Sequence, residues 1–115
     1  MATEYRAFAK LYVTHGTGEE EAAFGSGLIS LLRGVRDTGS LNRAAKEMRM
    51  AYSKAWKLMN SAEEQFGAQL IVRDGARGST LTDEAFRLIA AFDTVKDEVN
   101  DFATKRLQEE LDKLQ

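Results

Sequence analysis

The sequence predicts a mainly α fold with a small β component, on three observations. Apolar residues recur at helical intervals over residues 26–38, 40–48, 52–66 and 82–115. Only Arg49, Met50 and Ala51 separate the second of these stretches from the third, which leaves room for a tight turn. Two short stretches rich in alternating apolar residues then flank Asp74-Gly75-Ala76-Arg77-Gly78-Ser79, as the strands of a hairpin would. Two helices joined by a tight turn and followed by a hairpin make a winged helix-turn-helix, here with an extra N-terminal strand and a long C-terminal dimerisation helix. Residues 1–82 are expected to form the DNA-binding unit and residues 83–115 the dimerisation helix.

The two helices of the motif can be justified residue by residue. Ser40 can cap the first, and Ala44, Ala45 and Met48 give it a small apolar face. The second turns Ala55, Trp56, Met59, Ala62 and Phe66 inward at intervals of three or four, with Trp56 as a core anchor. Tyr52, Ser53, Lys54 and Lys57 are left on or beside the opposite face. A helix that hides its aromatic side and shows cations near its N-terminal end suits a DNA major groove.

Residues 5–14 alternate Tyr5, Ala7, Ala9, Leu11 and Val13 against Arg6, Phe8, Lys10 and Tyr12, which predicts a strand in need of a partner. Residues 15–25 hold three glycines and the acidic run Glu19-Glu20-Glu21; they read as a solvated connector with room for one helical turn over residues 19–23. His15 reads as an ordinary strand-end residue. Leu28, Ile29, Leu32 and Val35 then recur at helix spacing, with Ser26 as candidate cap and Gly39 as stop. Gln69 to Arg73 alternates, with Leu70 and Val72 on one face, and Thr80-Leu81 returns as its partner. Arg77 at the tip can reach a phosphate or a minor groove. Thr82 can cap the last helix, with Asp83 and Glu84 in its first turn. In that helix Ala85, Leu88, Phe92, Val95, Val99 and Phe102 form a coiled-coil seam that slips by one residue and resumes at Leu107, Leu111 and Leu114. About 30 residues extend roughly 45 Å, more than a domain of this size covers, so part of the seam is expected to meet a second subunit. The other arrangement folds the tail back after a break at residues 101–104.

Charge is distributed unevenly. The chain carries a net charge of −2, yet residues 33–80 hold nine Lys or Arg against five Asp or Glu, while both flanks are acidic. A basic centre on a helix-turn-helix is a phosphate-facing surface, and the flanks are repelled by DNA. There is no cysteine, so disulfides and thiolate metal sites are excluded. No apolar run is long enough to cross a membrane, and the N-terminus lacks a signal-peptide core, which predicts a cytoplasmic protein. No catalytic constellation appears: Gly16-x-Gly18 lacks the third glycine and following helix of a dinucleotide site, and His15 has no matching serine and acid. Neither an enzyme nor a cofactor is expected.

The residues also carry a family resemblance. Gly39-Ser40-Leu41-Asn42-Arg43-Ala44-Ala45, then Ala51 to Trp56, then Phe66-Gly67-x-x-Leu70-Ile71-Val72-Arg73 and Leu81-Thr82 resemble the winged-helix domain of LysR-type transcriptional regulators. The segment MAYSKAW at residues 50–56, and the N-terminal strand followed by Phe24-Gly25-Ser26-Gly27, look more like the ModE-type, molybdate-dependent regulators. The resemblance implies a homodimer on double-stranded DNA, with Tyr52, Ser53, Lys54 and Lys57 facing the groove and Ser40 and Arg43 touching the backbone. Lys46, Arg73 and Arg77 join Arg43 and Lys57 as expected phosphate contacts. Three positions depart from the pattern: Ala51 stands where a capping Ser is usual, the wing is short, and Ala85 replaces a Gly. ModE-type regulators sense molybdate through a separate C-terminal domain, so molybdate sensing does not follow from these 115 residues, and any small-molecule effector is unknown. The rival reading is a protein-interaction module on the same scaffold that has lost DNA binding.

Overall fold

The computed structural model describes residues 3–14 and 22–115. His15, the acidic run and most of the connector lie outside the described residues. The body is built on α1 (Ser26–Thr38), which buries Leu28, Ile29, Leu31, Leu32 and Val35. Gly39 ends it in the left-handed conformation, with its N–H donating to the Val35 carbonyl. Ser26 is the first helical residue, and Gly25 occupies the cap position without a side-chain hydrogen bond.

Against α1 lies α2 (Leu41–Glu47), whose cap Ser40 accepts from the Arg43 N–H at 3.1 Å. The two helices approach closely because residue 34 is glycine: a Cβ there would sit 2.7 Å from that of Ala44. The turn to α3 (Tyr52–Phe66) places Arg49 at φ 56°, a left-handed position occupied here without glycine. The inward face of α3 is narrower than its periodicity suggested. Ala55, Met59 and Ala62 are buried, Trp56 is partly buried against the core, and Phe66, at the helix end, is 43% exposed.

The wing is β3 (Ile71–Arg73) paired antiparallel with β4 (Ser79–Leu81), Val72 opposite Thr80, joined by a 3-10 turn at Gly75–Arg77. Leu70 and Ile71 are the buried pair and Val72 is exposed, so the inward face differs from the expected one. Alternation begins only at Ile71, because Leu70 precedes the strand. Two contacts seat the wing. The Ser79 N–H donates to the Gly39 carbonyl at 2.8 Å, and Glu63 Oε2 accepts from the N–H groups of Leu70 and Ile71 at 2.7 and 3.2 Å.

One unbroken helix, α4 (Asp83–Asp112), follows; its cap Thr82 accepts from the Ala85 N–H. No break occurs at residues 101–104. Its first turns complete the core through Ala85, Ile89 and Phe92, and Asp93 pairs with Arg33 of α1. The rest projects, giving extents of 61 × 32 × 25 Å. The radius of gyration of 17.5 Å exceeds the value of about 13 Å for a compact chain of this length.

The N-terminal region differs most from expectation. Only β1 (Val13–Thr14) pairs as a strand, antiparallel to β2 (Ala22–Phe24), a strand that the connector reading missed. Residues 5–9 hydrogen-bond instead to side chains of α4.

Candidate nucleic-acid interface

The first turn of α3 is open. Tyr52, Ser53 and Lys54 are exposed, as is Lys57 one turn on. The cap residue Ala51 supplies no side-chain hydrogen bond, so no side chain of its own covers the positive end of the helix. Beside it, a cleft lined by Ser40, Asn42, Tyr52, Arg73, Gly78 and Ser79 runs between the start of α2, the start of α3 and the wing. The structure therefore gathers Ser40, Tyr52 and Arg73 around one depression. Arg43 and Lys46 are exposed on α2, and Arg77 is exposed at the wing tip, 3.9 Å from Asp74.

Trp56 links α3 to the wing. Its ring meets Tyr52 edge-on, with centroids 6.1 Å apart, and carries the Arg73 guanidinium on its face at 3.4 Å. A guanidinium held flat on an indole keeps its charge and its outward N–H groups while losing rotational freedom. The indole is thus a platform as well as an anchor. Its Nε1 is buried without an acceptor among the described residues.

Of the cations on this surface, Arg77 is paired, with Asp74. Arg43, Lys46, Lys54, Lys57 and Arg73 form no salt bridge among the described residues. Elsewhere, Arg36 pairs with Asp37, whose carboxyl is held below its ordinary value by that hydrogen bond. Near the end of α4, Lys113 and Arg106 hold the Glu110 carboxyl below its ordinary value. Unpaired cations on the face of the helix-turn-helix are what a polyanion requires.

The expected dimer seam is divided between two environments. Phe92 is buried in the protomer's own core and Leu88 packs partly against it. Val95, Phe102 and Leu107 are exposed, and Val99 and Leu111 are half-buried. Sequence reasoning did not single out Glu63 as the clamp of the wing, nor Asn100, Thr104 and Gln108 as partners of the N-terminal segment. The four-residue spacing of the latter three was a visible signal.

A helix-turn-helix with an open second helix and a hairpin packed beside it defines a winged-helix DNA-binding domain. The family model of the bacterial regulatory helix-turn-helix protein, lysR family, matches residues 27–85, and the chain belongs to that family. It is 33% identical over 90 residues to the molybdenum transport protein ModE of Azotobacter vinelandii, a match covering 75% of this chain and 33% of that protein. The crystal structure of a LysR family transcriptional regulator superposes with a TM-score of 0.55 at 19% identity, covering 70% of this chain and 26% of the other. The chain therefore spans about a third or less of the length of these relatives. It has the DNA-binding domain of a transcriptional regulator of the LysR/ModE type. Among the described residues, no helix is long and apolar enough to cross a membrane.

Proposed function

We propose that the protein is a sequence-specific regulator of transcription that acts in the cytoplasm as a homodimer on a two-fold-related site in double-stranded DNA. The start of α3 enters the major groove, where Tyr52, Ser53 and Lys54 read base edges. Ser40, Arg43, Lys46, Lys57, Arg73 and Arg77 hold the phosphates on either side. The observation that carries this reading is the set of cations Arg43, Lys46, Lys54, Lys57 and Arg73 around an exposed helix start, without a salt bridge among the described residues, in a molecule whose net charge is −2. Dimerisation is supported by the exposed apolar side chains of Val95 and Phe102 on the projecting helix.

Selection from random duplexes, repeated across salt concentrations, tests the proposal. The expected result is an inverted repeat with half-sites about 10 base pairs apart, and an affinity that falls steeply with salt. Weak retention, indifferent to sequence even at low salt, would overturn it in favour of a protein-interaction module. The relative named for molybdenum transport shares a third of its length with this chain, and no molybdate response is proposed.

A further inference from the structure

Residues 3–9 run antiparallel to α4 and are clipped to it by side chains. The N–H groups of Tyr5, Ala7 and Ala9 donate to Gln108 Oε1, Thr104 Oγ1 and Asn100 Oδ1 at 3.1, 3.0 and 2.8 Å. Gln108 Nε2 and Thr104 Oγ1 return hydrogen bonds to the carbonyls of Thr3 and Ala7 at 3.4 and 3.2 Å. The spacings agree: two extended residues advance about 6.8 Å, and four helical residues about 6 Å. Three polar side chains, one per turn of helix, thus do the work of a neighbouring strand.

This arrangement satisfies one edge only. In an extended chain the N–H and C=O of one residue point the same way and those of the next residue point oppositely. The odd-numbered peptide groups face α4, so those of Glu4, Arg6, Phe8 and Lys10 face away. Among the described residues these four make no backbone hydrogen bond. Their surroundings are open, with Phe8 77% exposed. An unpaired edge flanked by exposed aromatics is a template for another strand.

We propose that this edge pairs with the same edge of a second copy, forming a two-stranded antiparallel ribbon on the two-fold axis between two α4 helices. The proposal rests on the homodimer reading above and names one contact within the dimer. Charge selects the register. Overlap of the whole free edge, residues 4 to 10, sets Glu4 opposite Lys10 of the second copy at both ends, Arg6 opposite Phe8, and the small Ala7 on the axis. A shift by one pair in either direction sets Arg6 against Arg6, or Arg6 against Lys10, and like charges directly opposite are destabilising.

The test is charge reversal at two exposed positions, read by sedimentation at low salt on the full chain. Glu4→Lys and Lys10→Glu are each expected to weaken self-association about tenfold, because two cross-strand attractions become repulsions. The double variant restores it, and an equimolar mixture of the two single variants forms a heterodimer. A dimeric wild type whose single variants associate equally well would overturn the ribbon and leave the dimer standing. Weakened variants that neither the double change nor mixing rescues would do the same. A monomeric wild type would overturn both.

Discussion

Arg73 lies on Trp56, its guanidinium carbon 3.4 Å from the centre of the ring, so the wing and the second helix of the motif share one stacked contact. The stack orients a cation beside the cleft that Arg73 lines with Ser40 and Tyr52. Trp56→Leu is expected to weaken DNA binding about three- to tenfold, the scale of a partly exposed cation–π contact. Arg73→Ala should then cost little more in the Trp56→Leu background, since both changes remove one device. Additive losses in a double-mutant cycle would show that the stack does not position the arginine for DNA.

The proposed roles of Lys54 and Arg77 divide base reading from phosphate holding. Lys54→Ala should change the preferred base at one position of each half-site, with about 1–3 kcal/mol of altered discrimination. Arg77→Ala, at the exposed wing tip, should weaken all sequences alike and flatten the salt dependence by about one phosphate. Binding of both variants to a selected-site library distinguishes the two roles, and identical profiles would refute the division.

Gly78 carries two constraints. Its φ of 91° lies in the region that side chains rarely adopt, and a Cβ there would overlap the Gly39 carbonyl oxygen, which already accepts from Ser79. Gly78→Ala should destabilise the fold by about 1–3 kcal/mol and loosen the wing. Gly75 has a φ of 47° but open space around the added carbon. Gly75→Ala should therefore cost only about 1 kcal/mol. Urea denaturation of the two variants checks the order.

The Glu63 carboxylate is shared by two backbone donors at the entrance to the wing. Glu63→Ala should leave the Leu70 and Ile71 N–H groups without their partner and cost about 1–3 kcal/mol. Glu63→Gln, which keeps one acceptor oxygen, should fall between that variant and the wild type. Equal stability of all three proteins would show that water replaces the clamp.

These residues show what the sequence discloses and what it withholds. The helix-turn-helix is legible because its signals are local: the Ser40 cap, the three-residue turn between the helices, and apolar steps of three and four. The wing is legible as a hairpin, although its inward pair is Leu70 and Ile71 because the strand starts one residue after the buried loop position. The exposure of Lys54 and Lys57 follows from the same periodicity, since a buried Ala55 and Met59 leave them outside. The partner of an extended segment, by contrast, is a tertiary fact. Alternation in residues 5–14 predicts an extended chain, and nothing local says that a helix's side chains will receive it. Glu63 escapes for the same reason, because the N–H groups that donate to it lie seven and eight residues away across a turn. The seam of α4 is one continuous pattern in the sequence, and nothing local marks where it divides: Phe92 packs inward and Phe102 is 66% exposed, because the body ends partway along the helix.

The rungs at Asn100, Thr104 and Gln108 also set a limit on the clip they form. Each step of four residues overshoots a full turn by about 40°, so the third rung has precessed about 80° around the helix from the first. A straight segment loses phase with such a spiral after a few rungs. Inserting one residue between Asn100 and Gln108 would swing the later rungs by about 100° and detach the start of the chain.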